Sequence, residues 1–180
     1  MPQRPMTRPR PALFLDRDGV INQDRGYVAS VTDWEWIEGA IECVENFKQR
    51  DWWVFIVTNQ SGIAFDLYTE ANMQAVHDHM LTGFKTAQTA IDAIYSCPYH
   101  LDASNQAYRK NSIDRKPQPG MLLQAMAEFP VKRESSFLIG DKPTDIAAAH
   151  AAKIGGFLFT GGDLAEFAEW ALASFEEGAR

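Results

Sequence analysis

Three short apolar runs each stop at a cluster of polar side chains able to do chemistry. Ala12-Leu13-Phe14-Leu15 runs into Asp16-Arg17-Asp18-Gly19, and Trp53-Val54-Phe55-Ile56-Val57 runs into Thr58-Asn59-Gln60-Ser61-Gly62. Phe137-Leu138-Ile139-Gly140 runs into Asp141-Lys142. Asp16, Asp141 and the backbone carbonyl of Asp18 are hard oxygen donors of the kind that hold Mg²⁺. A divalent cation offsets the repulsion between a carboxylate and a phosphate dianion, which lets Asp16 attack phosphorus. Asp18, two residues on, is spaced to protonate a departing alkoxide and then to activate water on the acyl phosphate. The Thr58 hydroxyl, nearby backbone N–H groups and Lys116 supply donors for the transferring oxygens. Each piece alone has a plainer reading. An Asp-x-Asp is often a polar turn, Asp141 and Asp145 could serve a helix N-terminus, and Lys116 could be an ordinary solvated lysine. Occurring together and in this order, they predict phosphoryl transfer.

Such clusters work only if the chain brings them to one place. The apolar runs at 12–15, 53–57, 91–95, 137–139 and 157–159 are too continuous for half-exposed strands and suit a sheet buried on both faces. Segments of helical periodicity lie between them, at 40–50, 69–85, 119–129, 143–153 and 163–176. Thr69 is placed to cap the second of these, and Pro119 and Pro143 to open the third and fourth. Alternating strands and helices predict an α/β fold, a Rossmann-like parallel sheet flanked by helices. In such sheets ligands bind beyond the carboxyl ends of the strands, which is where all three clusters fall. The long stretches 17–38 and 97–117 are candidate functional loops.

The bulk properties narrow the partners. The chain has 180 residues and is 46% hydrophobic, suited to one compact domain over residues 12–180. Residues 1–11 carry three arginines and four prolines without an apolar stretch, and read as a disordered leader rather than a secretory signal. The net charge is −7, and the arginines of the leader make the rest more acidic still. An acidic body repels a nucleic-acid backbone, so no nucleic-acid partner is expected. No apolar run is long enough to cross a membrane. Cys43 and Cys97 lie far apart without paired spacing, which points to a reducing, cytoplasmic setting. The expected partner is a small phosphorylated metabolite, and the expected state a monomer. His77, Cys43 and the tryptophans at 34, 36, 52 and 53 are read as packing residues, and His79 as solvated.

At the reactive clusters the sequence resembles the haloacid-dehalogenase-like phosphatases. LDRDGV, VTNQSG, RKP and GDKPTD match that family's motifs in order across residues 13–145. The resemblance implies Asp16 as nucleophile, Asp18 as acid and base, and Mg²⁺ on Asp16, the Asp18 carbonyl and Asp141. It also implies that Thr58 and Lys116 steady the phosphoryl group. FLDRDGVINQDRGYV, TNQSGIA, CPYH and RKPQPGMLL are similar to the branch of the family acting on heptose bisphosphate, with histidinol phosphate the alternative substrate. That likeness implies a flap of Asp24, Arg25, Gly26 and Tyr27 facing substrate. It implies further that Asn59, Gln60 and Ser61 line the site, that Arg115 reads the substrate and that Lys142 sits beside the phosphate. The short connections leave no room for a large cap domain.

Two departures from the branch stand out. Its structural zinc loop has the form Cys-x-His and Cys-x-Cys, whereas the matching positions here are Cys97, Tyr99, Ser112 and Asp114. Tyrosine and serine are poor zinc ligands, so structural zinc is expected to be absent and residues 97–117 must be ordered by packing or stay mobile. After Ala64 the branch carries Arg-Gly, while this chain reads Phe65-Asp66, a change of specificity or of flap contact. A rival of another class is a phosphoryl-accepting receiver domain. Asp18 argues against it, because a switch that must stay phosphorylated should lack an acid/base two residues after its acceptor.

Overall fold

The computed structural model describes residues 8–178. Strands β1 (Ala12–Leu15), β2 (Trp53–Asn59), β3 (Ala93–Cys97), β4 (Phe137–Gly140) and β5 (Gly155–Leu158) form a parallel sheet in the order β3-β2-β1-β4-β5. Helices α1 (Ala40–Gln49), α2 (Glu70–Thr86), α3 (Gly120–Glu128), α4 (Pro143–Ala151) and α5 (Leu164–Gly178) flank it. This is the α/β architecture expected from the alternation of runs, with no large cap among the described residues.

Successive strand residues face opposite sides, and that alternation divides the core in two. Leu13, Leu15, Val54 and Ile56 face α1, α2 and α5 through Val44, Phe47, Met80, Phe84 and Leu164. Phe14, Phe55, Val57 and Tyr95 face α3 and α4 through Met121, Leu122, Ala125 and Ala148. Each wholly buried Leu or Phe contributes roughly 1.5–3 kcal/mol relative to exposure, so the two clusters hold the sheet rigid beneath the loops. Thr69 caps α2 as expected, its Oγ1 accepting from Asn72 N at 3.2 Å. Trp36 packs edge-on to Phe84, Trp52 to Phe47 and Trp53 to Phe129, while Trp34 meets His79 edge-on at 5.9 Å. His79 is therefore partly covered rather than fully solvated.

Element edges differ from expectation in three places. β3 begins at Ala93, because Asp92 is already engaged by Lys48 Nζ at 2.6 Å and Val54 N at 2.8 Å. β5 begins at Gly155, pairing with Phe137, although two successive glycines read as loop. The first seven residues of the expected leader lie outside the described residues, but Arg10 belongs to the fold. It bridges Val131, and its guanidinium lies 3.4 Å from the centre of the Trp53 ring.

Candidate active site

From β1 the chain moves outward through β2 and β3 on one side, then returns to β4 and β5 on the other. The strand order reverses beside β1, and the reactive clusters end the three central strands there. Asp16 directly follows β1, where its N–H still pairs with Ile139 O at 3.1 Å. Thr58 and Asn59 finish β2, and Asp141 follows β4. Gly19 lets the β1 loop close over this end of the sheet. Its φ is +86°, and a Cβ there would overlap the Asp141 carboxylate.

At the centre is a buried ammonium. Lys116 is 3% exposed; its ammonium donates to Val57 O at 2.8 Å and forms ion pairs with Asp16 Oδ1 at 3.0 Å and Asp145 Oδ1 at 2.6 Å. Burial alone would lower the lysine pKa, but the two carboxylates outweigh it and the pKa is raised. One ammonium is too little for the acids around it. Oxygens of Asp16, Asp141 and Asp145 lie within 4.8 Å of one another. Burial pushes Asp16 up to about 7, with Lys116 opposing and Asp145 adding to the rise. Burial also raises Asp141, whose Oδ1 is buried without a hydrogen-bond partner. Crowded carboxylates short of positive charge, one of them with an unpartnered oxygen, fit a hard divalent cation.

Asp145 is the residue that sequence reasoning passed over as a possible helix-end carboxylate. It does serve α4, with Oδ2 accepting from Lys142 N at 2.9 Å, but its other oxygen anchors Lys116. The available signal was the second acid of GDKPTD, one helical turn beyond Asp141. The Asp18 carboxylate lines the cleft beside this cluster and is held there by donors, accepting from Arg17 Nη2 at 2.9 Å, Asn22 Nδ2 at 2.9 Å and Gln60 Nε2 at 2.9 Å.

The cleft above these groups measures about 320 Å³. Of the residues expected to face substrate, Asp24, Gly26, Tyr27, Asn59, Ser61, Arg115 and Lys142 line it, together with Asp16, Asp18 and Lys116. Thr144, Asp145 and Tyr68 line it too, and none of the three was foreseen. The flap is pinned by Asp24, which accepts from Gly26 N at 2.8 Å and from Lys142 Nζ at 2.9 Å. Asn59 also braces the backbone of Lys116, exchanging bonds of 3.0 and 3.1 Å with its O and N. Two of the residues expected to face substrate, Arg25 and Gln60, do not line the cleft. Arg25 turns outward to pair with Glu35, both of them more than half exposed. Gln60 is buried beneath the cleft, because Thr58 and Gln60 share one side of the extended chain and Asn59 takes the other. Thr58 is buried with it and is not among the residues that line the cleft; its Oγ1 accepts from Gln60 Nε2 at 2.9 Å. His77 is buried, and that burial lowers its pKa to about 4, in keeping with a packing role.

The stretch 97–117 is ordered by packing. Phe65 packs against His100 with ring centres 5.0 Å apart, and Asp66 Oδ1 accepts from Asn105 Nδ2 at 2.8 Å. Phe65 and Asp66 therefore brace this loop rather than face the cleft. Tyr99 packs against Tyr108 at 6.1 Å, and the Lys110 ammonium sits 3.7 Å from the Tyr99 ring centre. Cys97 is buried, which raises its pKa, and Ser112 hydrogen-bonds Asp114 at 3.3 Å.

A family model described as HAD-hydrolase-like matches residues 113–171. The D-glycero-beta-D-manno-heptose-1,7-bisphosphate 7-phosphatase of Rhodopseudomonas palustris is 39% identical over 170 residues, 94% of each chain. The enzyme of the same name from Photorhabdus laumondii is 44% identical over 150 residues, 83% of this chain and 80% of that one. The crystal structure of D,D-heptose 1,7-bisphosphate phosphatase from B. bronchiseptica, complexed with magnesium and phosphate, is 29% identical. It superposes with a TM-score of 0.77 over 93% of this chain and 97% of that one.

Proposed function

Because the chain belongs to the haloacid-dehalogenase-like phosphatases and is a phosphoric monoester hydrolase, we propose that it removes the 7-phosphate of D-glycero-D-manno-heptose 1,7-bisphosphate, with Mg²⁺, through an aspartyl-phosphate at Asp16. Membership of a phosphatase family removes the receiver-domain alternative. The observation that carries the mechanism is the Lys116 ammonium joining Asp16 to Asp145, with an oxygen of Asp141 in the same cluster.

Asp16, Asp141 and the carbonyl of Asp18 would hold Mg²⁺, while Asp145 has both oxygens engaged and serves instead to fix Lys116. Bound there, the ion supplies the positive charge that lets two anions approach each other. Asp16 then attacks phosphorus as nucleophile. Lys116 keeps the other Asp16 contacts in register and, with the Thr58 hydroxyl, neutralises charge on the transferring oxygens. Asp18 protonates the departing alkoxide, then takes a proton from the water that cleaves the acyl phosphate. Ser61, Arg115 and Lys142 offer donors to the sugar and its second phosphate, and the relatives' names support a heptose bisphosphate as the ligand that meets them. The free, buried Cys43 and Cys97 suit a reducing cytoplasm, and no helix among the described residues is long and apolar enough to cross a membrane.

Phosphate release with Mg²⁺ across both heptose bisphosphate anomers, histidinol phosphate and common hexose phosphates tests the substrate. Heptose bisphosphate is expected to lead in kcat/KM by at least about tenfold and to retain its anomeric phosphate. Faster release from histidinol phosphate would move the substrate to the alternative branch.

A further inference from the structure

Gln60 lies under the cleft, and its side-chain bonds converge on the neighbourhood of Asp18. Its Nε2 donates to Asp18 Oδ2 and Thr58 Oγ1, both at 2.9 Å. Its Oε1 accepts from Arg17 Nη2 at 3.2 Å and from the Tyr68 hydroxyl at 2.5 Å. A guanidinium can only donate, so the buried Arg17 dictates which end of the amide is oxygen and aims Nε2 at Asp18. Tyr68 reaches this point because residue 62 is glycine, where a Cβ would overlap the Tyr68 ring. The Tyr68 ring also lies near Tyr27 in the flap, tilted to it at a centroid distance of 6.4 Å. Tyr27 is 47% exposed and lines the cleft. A line of contacts thus runs from the flap through Tyr68 and Gln60 to Asp18.

We infer that Gln60 is a positioning residue for proton transfer by Asp18, and that Tyr68 couples it to the flap the substrate touches. The inference rests on Asp18 being the acid and base of the reaction. A carboxyl group donates to a leaving oxygen only from the correct rotamer, and a buried amide locked by Arg17 holds that rotamer better than water does. Gln60 itself touches neither substrate nor phosphorus.

The leaving group separates this role from a merely structural one. An alkoxide must be protonated as it departs, whereas p-nitrophenolate leaves unaided. Single-turnover phosphoryl transfer is therefore measured with a sugar phosphate and with p-nitrophenyl phosphate. Gln60→Met keeps the length and removes every bond; it is expected to slow transfer from the sugar phosphate about 30-fold and from p-nitrophenyl phosphate less than about threefold. KM for the sugar phosphate should stay within about threefold. Tyr68→Phe retains the ring and should move the ratio of the two rates the same way by about threefold. Equal losses on both substrates, or no loss, overturns the inference; where Gln60→Met fails to fold, an unmoved ratio in Tyr68→Phe overturns it instead. Asp18→Asn is the reference. If it too loses both substrates equally, the acid/base reading fails and this inference with it; if it is selective while Gln60→Met is not, only the role of Gln60 is lost.

Discussion

Asp16→Asn is expected to abolish phosphate release, by at least about 10⁴-fold, while leaving the metal-free protein more stable than wild type at pH 8. The first effect follows from removing the nucleophile. The second follows from its surroundings. Burial and the nearby Asp145 outweigh Lys116 and raise Asp16 to about 7, so the folded protein prefers this carboxyl neutral. A carboxyl whose folded pKa lies above its unfolded value stabilises the fold at low pH, and that contribution is lost as pH rises from about 4 through about 7. Asparagine stays neutral throughout, and its Oδ1 can still accept from Lys116. The advantage of Asp16→Asn should therefore be near zero at pH 4 and reach on the order of a few kcal/mol at pH 8. Denaturant unfolding of the metal-free proteins at both pH values measures it. A variant less stable than wild type at pH 8 would mean that the site accommodates the charge without a cation.

Lys116→Met should do the opposite to stability. The Lys116 ammonium is the shared partner of Asp16 and Asp145, each of which is almost wholly buried. Methionine fills the space of the lysine stem but leaves two carboxylates facing each other with Val57 O unpaired. Removing one partner of a buried ion pair costs about 3–5 kcal/mol, and that is the loss expected at pH 8. The loss should shrink toward pH 5, because Asp16, raised further without the ammonium, takes up a proton and relieves the repulsion. The wild-type lysine is charged across this whole range, its pKa being raised above the ordinary value, so the pH dependence belongs to the carboxylates. Unfolding midpoints at pH 5 and pH 8 decide the matter. Unchanged stability at pH 8 would show that the acids do not depend on Lys116. Turnover should fall as well, since the same ammonium orients Asp16.

Much of this centre is legible in the chain because its chemistry sits where apolar runs stop. Continuous runs such as 53–57 signal strands buried on both faces, and parallel strands put their carboxyl ends on one side of the sheet. Asp16, Thr58 and Asp141 thus group together from the sequence alone. Residues whose roles depend on pairing across the fold were harder to see. Asp145 reads as a helix-end acid because its bond to Lys142 N is local, while its bond to Lys116 exists only once α4 and the loop before α3 meet. Gln60 was placed in the cleft with its neighbours, yet strand alternation turns it toward Thr58 and Asp18. Arg25 reads as a substrate contact by its place in the flap, but nothing local indicates that Glu35 captures it. Phe65 and Asp66 meet residues 97–117 in contacts visible only in three dimensions.

The nucleophile can be seen directly by trapping it. Enzyme with Mg²⁺ is mixed with substrate, quenched in acid within one turnover, and the acyl phosphate reduced with borohydride before trypsin digestion. Arg4, Arg8 and Arg10 each precede proline and resist cleavage, so the peptide ending at Arg17 carries Asp16 as the lone acidic side chain of residues 1–17. Conversion of residue 16 to homoserine in that peptide is the predicted result, and with p-nitrophenyl phosphate, whose leaving group needs no acid, the adduct should increase in Asp18→Asn because only the second step is slowed. Phosphate released at the normal rate with residue 16 unmodified, or the adduct on any other residue, would contradict Asp16 as the group that takes the phosphate.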